Sequence, residues 1–343
     1  MRAIVITAPG GPEVLELQER PLPEPRAGEI RVRVRAAGLN RADLLQRRGG
    51  YPAPPGWPAD IPGLEYAGEV DEIGPGVTRW RTGDRVMGLV GGGAQAECLV
   101  TPADEALPVP EGLGWPEAAA IPEAFLTAYD ALAIRARVAP GERVLIHAVG
   151  SGVGTAAVQV ARCLGAIPVG TARSAWKLER ARELGLAEGI DSSTGAFRDR
   201  LAAPVHVVLD VLGGAALAEN LAVLEPRGRL VLLGLMQGTE AAISLEPVLR
   251  RRLEIVGSVM RTRPAGERAV LAREAEERML PWFGPPTRRR ADAPTRDSAA
   301  EPPGRAVPSC RPVLGGVWSM DEIRAAHGAL ERGELFGKAV LQW

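Results

Sequence analysis

Arg143-Val-Leu-Ile-His147-Ala148-Val149-Gly150-Ser151-Gly152-Val153-Gly154-Thr155-Ala156-Ala157 is the stretch whose reading decides the architecture. Its apolar first half predicts a buried strand, its glycines a tight turn, and Thr-Ala-Ala the opening of a helix. Glycines in such a turn let backbone N–H groups approach a pyrophosphate lying at the positive end of the helix, while Ala157 fills a close helix-to-strand contact. Gly152-x-Gly154-x-x-Ala157 is therefore a G-x-G-x-x-A fingerprint in its required strand-turn-helix setting, and it predicts dinucleotide binding. Without that setting, the glycines would predict only a turn.

The same rhythm continues downstream: helix Thr155 to Leu164, strand Ile167 to Thr171, helix Lys177 to Leu184. Strands alternating with helices predict a parallel, doubly wound α/β sheet. The apolar runs Val205 to Val211, Arg229 to Leu235 and Leu253 to Gly257 predict further strands covered on both faces. The end of the second strand selects the dinucleotide. It reads Gly170-Thr171-Ala172-Arg173-Ser174 with Lys177 beyond, offering no carboxylate for a ribose hydroxyl. Two cations and a hydroxyl suit a 2'-phosphate, so the expected cofactor is NADPH. On these residues alone, a solvated helix start remains the alternative.

Residues 1–122 read differently, as short β-branched runs broken by Gly and Pro: Ala3 to Thr7, Glu29 to Ala37, Tyr66 to Ile73, Arg85 to Leu89 and Ala96 to Leu99. They predict a β-rich domain, completed by residues 265–343, with the nucleotide domain at 123–264 between them. The C-terminal part predicts an amphipathic helix from Met320 to Glu331 and a strand from Lys338 to Gln342. The segment 282–312 carries seven Pro, six Arg and no Leu or Ile, which predicts an irregular insert.

Length and composition agree with a two-domain enzyme: 343 residues, 46% hydrophobic, 24% charged. The balance of 41 basic against 42 acidic residues removes the field expected if nucleic acid or an anionic membrane were the main partner. Only Lys177 and Lys338 are lysines among those 41 basic residues, a bias that reflects a GC-rich coding sequence first. No apolar run reaches the ~20 residues of a membrane helix, and the start Met1-Arg2-Ala3-Ile4-Val5-Ile6-Thr7 is too short for a signal-peptide core. Cys98, Cys163 and Cys310 lie far apart without a CxxC pair, so a disulfide framework or zinc ribbon is not expected, and a cytoplasmic setting is. Cys163 reads as a small core residue. His147 ends a strand, His206 begins one and His327 sits on the C-terminal helix, none with metal spacing.

Three long strings carry a resemblance: Leu39-Asn40-Arg41-Ala42-Asp43-Leu44-Leu45-Gln46-Arg47 with Tyr51-Pro52; Pro62-Gly63-Leu64-Glu65-Tyr66-Ala67-Gly68; and Ala120-Ile121-Pro122-Glu123-Ala124-Phe125-Leu126-Thr127-Ala128. With the glycine turn, Leu209-Asp210, Gly213-Gly214, Gly228-Arg229-Leu230-Val231, Gly234-Leu235-Met236 and Phe336-Gly337-Lys338-Ala339-Val340, they make nearly the whole chain resemble the zinc-independent quinone oxidoreductases of the medium-chain dehydrogenase/reductase superfamily. The tumour-suppressor-inducible quinone oxidoreductase subgroup shares the Asn-Arg-Ala-Asp-Leu string and the Tyr after it.

The resemblance implies a chaperonin-10-like catalytic domain, a Rossmann NADPH-binding domain, a cleft between them as active site, and a homodimer formed along the nucleotide-domain edge strands. It implies quinone reduction without zinc, or the related reduction of enone and alkenal double bonds; a non-catalytic role is the rival from another class. Zinc-dependent relatives would carry ligands where this chain has Asn40 and Leu64. By the same resemblance Asn40 and Tyr51 face the nicotinamide and the acceptor carbonyl. Thr127, Gly234, Leu235, Met236 and Met260 border the nicotinamide or its ribose; Gly150, Ser151, Gly152, Val153 and Gly154 meet the pyrophosphate; and Lys338 reaches a cofactor phosphate. Ser192 stands where a Tyr commonly covers the cofactor. Relatives lack about twenty residues of the 282–312 segment, so it is read as an insertion or a pair of compensating frameshifts.

Overall fold

The structure is a computed structural model that describes residues 1–284 and 309–343; most of the expected irregular insert lies outside the described residues. The chain runs β1 (Arg2–Ile6), β2 (Leu15–Glu19), β3 (Glu29–Leu39), α1 (Arg41–Arg47), β4 (Glu65–Ile73), β5 (Arg85–Leu89), β6 (Cys98–Pro102), β7 (Leu107–Pro108), α2 (Trp115–Ala119) and α3 (Pro122–Tyr129). It continues through β8 (Arg143–Ile146), α4 (Gly152–Cys163), β9 (Ile167–Ala172), α5 (Ala175–Glu183), β10 (Glu188–Asp191), β11 (Val205–Asp210), α6 (Ala216–Ala222), β12 (Leu224–Leu232), α7 (Glu246–Arg251) and β13 (Glu254–Gly257). Then follow α8 (Ala265–Arg278), β14 (Leu314–Ser319), α9 (Ile323–Arg332) and β15 (Lys338–Gln342).

Six strands form the parallel sheet, in the order β10-β9-β8-β11-β12-β13. The order reverses between β8 and β11, the switch point outside whose strand ends a doubly wound sheet binds its ligands. Val144, Leu145 and Ile146 of β8 are fully buried, as expected for a central strand packed on both faces. The second sheet has seven strands, β14-β15-β3-β4-β5-β7 with β6 paired to β3, and it gathers strands from both ends of the chain. In β3, inward Ile30, Val32 and Val34 alternate with outward Arg31, Arg33 and Arg35, the period-two pattern of a sheet with one face on a core. One apolar core runs through both halves, joining α2 and α3 to α4 and α8 through Phe125, Ala128, Ala157, Val160 and Leu271.

Four expectations need correction. β12 starts at Leu224 rather than Arg229, because Val205 pairs with Leu224 across a register break before Val207 pairs with Arg229. β13 is not covered on both faces: it is the outer strand, with Ile255 44% exposed. The ends of the 282–312 segment are packed. Phe283 meets Phe125 edge-on at 4.8 Å, Cys310 N–H donates to the Trp282 carbonyl at 2.8 Å, and the Arg311 backbone exchanges two hydrogen bonds with the side-chain amide of Gln159. The cysteines are not all distant: α4 and the returning chain bring Cys163 Sγ and Cys310 Sγ to 3.5 Å.

Candidate active site

After β8 the chain must turn sharply under α4. Ala148 takes the left-handed conformation, φ 53°, and Ser151 caps α4 by accepting the Gly154 N–H on Oγ at 3.0 Å. A Cβ at Gly154 would stand 2.3 Å from the Ala148 carbonyl oxygen, so only glycine closes this turn. A Cβ at Gly150 would meet the Lys177 stem at 2.6 Å and one at Gly152 the Lys338 stem at 2.4 Å. Both lysines of the chain therefore lie over the glycine turn. Just before it, His147 is buried between Thr171 Oγ1 at 2.9 Å and Asn220 Oδ1 at 2.7 Å, so it serves the strand rather than the crevice.

The other expected cofactor residues stand at the C-terminal ends of the same sheet. Arg173 and Ser174 follow β9, with Arg173 exposed, and Ser192 follows β10, its N–H donating to the Ala172 carbonyl at 2.8 Å. Lys177 sends its ammonium to the Gly333 carbonyl at 2.6 Å, which ties α5 to the end of α9. Gly234, Leu235 and Met236 follow β12, and Leu235 and Met236 are 47% and 45% exposed at the crevice. Met260 follows β13, and Thr127 on α3 is buried with an Oγ1 that has no hydrogen-bond partner among the described residues. A crowded glycine turn, a crevice at the strand ends and an unspent buried hydroxyl fit a dinucleotide.

The floor of the crevice is polar and tightly bonded. Asn40 Nδ2 donates to Glu65 Oε1 at 2.8 Å, and Lys338 Nζ lies 2.5 Å from both Asn40 Oδ1 and Glu65 Oε1. Glu65 Oε2 accepts the Glu123 backbone N–H at 2.7 Å. Asp43 accepts the backbone N–H groups of Asn40 and Gly63 at 2.7 and 2.9 Å, and burial pushes its carboxyl up to about 6. Lys338 is 4% exposed, so it is not a solvated strand-end cation, and only its stem, not its charge, meets the phosphate turn. On the facing wall Arg261 lies 4.9 Å from the Tyr51 ring, donates to the Tyr51 carbonyl at 2.8 Å, and donates to Gln46 Oε1 at 2.6 Å. Burial raises the Tyr51 phenol above its ordinary range.

The structure thus brings Asn40, Lys338 and the glycine turn together and sets Tyr51 across from them. Glu65, Asp43, Glu123 and Arg261 are site residues that sequence reasoning missed. A carboxylate inside an otherwise apolar string, Gly63-Leu64-Glu65-Tyr66 or Ile121-Pro122-Glu123-Ala124, was the available signal for two of them. Around Asn40 stand its own amide, an ion-paired carboxylate and an ammonium, a set that does not suit zinc. Among the described residues no three His, Cys, Asp or Glu side chains are grouped to hold a metal ion.

Fold and crevice together define a β-rich GroES-like domain joined to a Rossmann-like domain of the NAD(P)-binding type. The Alcohol dehydrogenase GroES-like domain family matches residues 26–111, and the Zinc-binding dehydrogenase family matches residues 152–277. The chain belongs to the medium-chain dehydrogenase/reductase superfamily. It is 38% identical to the human synaptic vesicle membrane protein VAT-1 homolog over 241 residues, 68% of this chain and 61% of that one, so it spans about three fifths of that relative. The quinone oxidoreductase from Thermus thermophilus, solved also with NADPH, is 35% identical with all of both chains covered and a TM-score of 0.78. The CurK enoyl reductase is 27% identical with a TM-score of 0.82, covering 99% of this chain and 98% of that one. Among the described residues no helix is long and apolar enough to cross a membrane.

Proposed function

We propose that this chain is an NADPH-dependent, zinc-independent reductase of quinones. One observation carries the reading: the glycine turn and the Asn40–Lys338–Glu65 floor share a single crevice, joined by the Lys338 stem over Gly152. A bound NADPH would supply hydride there. The turn N–H groups and the α4 N-terminus would hold its pyrophosphate, Arg173, Ser174 and Lys177 its 2'-phosphate, and Thr127 and Met260 its nicotinamide end. Asn40 and Tyr51 would orient the acceptor, and the positive charge of Lys338 and Arg261 would stabilise the oxygen that gains electrons. Zinc independence is supported by the ammonium that stands beside Asn40.

The second reading, reduction of an enone or alkenal double bond, is favoured by the likeness to an enoyl reductase. A homodimer through the β13 edge belongs to the same proposal, supported by Ile255, Val259 and Leu249 at 44%, 47% and 80% exposed. So does a cytoplasmic setting.

The test is NADPH oxidation by purified protein with 1,4-benzoquinone, 9,10-phenanthrenequinone and an enone in parallel, with NADH as control. Turnover with quinones and NADPH is expected. Turnover with the enone alone moves the function to double-bond reduction, a preference for NADH removes the Arg173 and Lys177 argument, and binding without turnover favours a non-catalytic role. A light-scattering mass of one chain would remove the dimer.

A further inference from the structure

One acid at the pocket wall is left unspent by the rest of the site. Glu123 is the second residue of α3, and its backbone N–H is fastened to Glu65 Oε2 at 2.7 Å, which fixes the residue beside the floor. Glu123 lines a narrow cavity of about 10 Å³, room for about one water, with Leu64, Val90, Met260 and Arg261. No hydrogen bond reaches its carboxyl among the described residues. The other floor carboxylates are committed: Glu65 to Lys338, Asn40 and the Glu123 N–H, and Asp43 to two backbone N–H groups.

We propose that Glu123 is the proton donor of this site, giving the acceptor the proton that must accompany hydride. The proposal rests on the reductase reading above. Converting a quinone to a hydroquinone, or saturating an enone, consumes one hydride and one proton. The hydride would be supplied by a bound reduced nicotinamide. The proton leaves Glu123: its O–H bond breaks as an O–H bond forms on the anionic quinone oxygen, or a C–H bond on the enolate carbon. The carboxylate left behind takes a proton back from water.

The surroundings suit that cycle. Glu65 from β4 and Asp43 from α1 face Glu123 with negative charge, Lys338 from β15 and Arg261 after β13 with positive charge, and Tyr51 after α1 with a phenol. Arg268 from α8 lines the same pocket. Burial first, then Glu65 and Asp43, against the two cations, push the Glu123 carboxyl up to about 7. Both forms are therefore populated at neutral pH, as a group that gives up and regains a proton at each turnover requires.

Two measurements test it on the full chain. Infrared titration of the cofactor-free protein should show one protonated-carboxyl band that disappears as pH rises through about 7 and is missing from E123Q. If the E123Q difference shows that carboxyl already ionised at pH 5, the proposal fails. In turnover, E123Q should reduce quinone at least about 100-fold more slowly with NADPH binding unchanged, and E123D should recover part of the rate. E123Q reacting at the wild-type rate with the wild-type pH profile would overturn the proton role and leave the reductase reading standing. Wild-type protein that binds NADPH yet reduces no acceptor would overturn both. If E123Q does not fold, the wild-type titration and the E123D pH profile, expected to shift toward lower pH, decide the matter.

Discussion

Arg47 is 1% exposed and has no carboxylate to itself. It donates to the Gly10 carbonyl at 3.0 Å, meets His327 Nδ1 at 3.1 Å, and shares Glu331 with Arg48. Only a neutral imidazole can accept from a guanidinium, so burial and then Arg47 hold His327 down at about 3. The unfolded chain takes up a proton below about 6.5 that the folded chain refuses. This contribution to stability is present above that pH and is lost as pH falls toward 3, reaching about 3 kcal/mol by pH 4. His327→Gln keeps an acceptor for Arg47 without a titrating group, so urea unfolding at pH 7 and pH 4 should show a smaller acid loss in the variant. Equal losses would contradict the assignment. At the glycine turn, Gly154→Ala drives a methyl into the Ala148 carbonyl and should cost about 1–3 kcal/mol and at least tenfold in NADPH affinity. Gly266→Ala, inside α8 where a methyl meets nothing within 4 Å, should leave NADPH affinity unchanged by calorimetry and raise stability by up to about 1 kcal/mol in thermal melting.

Among the elements, α3 does the most positioning. It carries Glu123 and Thr127, and continues into a wider π-helical turn over Asp130–Arg135 that presents Asp130 to the loop after β13. Arg263 grips both Asp130 oxygens, at 3.0 and 2.6 Å, with Ser258 Oγ 2.7 Å from one of them, and the pair is almost wholly buried. This clasp aims Met260 and Arg261 at the pocket. Asp130→Ala leaves a buried guanidinium unpaired and should cost about 3–5 kcal/mol, read by urea unfolding; a loss under 1 kcal/mol would mean the loop is held by something else. The central parallel strands β8, β9 and β11 and the α4 turn were legible in the sequence because burial on both faces and a glycine fingerprint are local signals. β2 and β14 went unread because their half-exposed residues make no apolar run, and α8 because its apolar face is short, with Leu271, Ala272 and Ala275 its buried residues. The floor was legible only at Asn40 and Lys338. Glu65, Glu123 and Arg261 gain their meaning from partners far away in sequence, which no local pattern announces.

For the molecule as a whole, the Pro- and Arg-rich stretch joins two points that already touch. The Trp282 carbonyl accepts from Cys310 N–H at 2.8 Å, and Phe283 and Cys310 are both buried. Excising 285–308 and joining Gly284 to Ser309 removes the stretch between two ends that already meet. The shortened chain should keep its NADPH affinity and melt within a few degrees of the parent; collapse of the fold would show that the stretch packs against the rest. The scarcity of lysine has a practical consequence at the same scale. Acylating reagents have few amines to find: the N-terminus, Lys177 and a Lys338 ammonium sealed in the floor. Burial and the neighbouring Arg173 lower the Lys177 ammonium, so its reactive amine form begins to appear at milder pH than in an ordinary lysine. Acylation of Lys177 would thus compete with a ligand at the rim of the nucleotide crevice, and protection of that lysine, mapped apart from the N-terminal amine, would report occupancy.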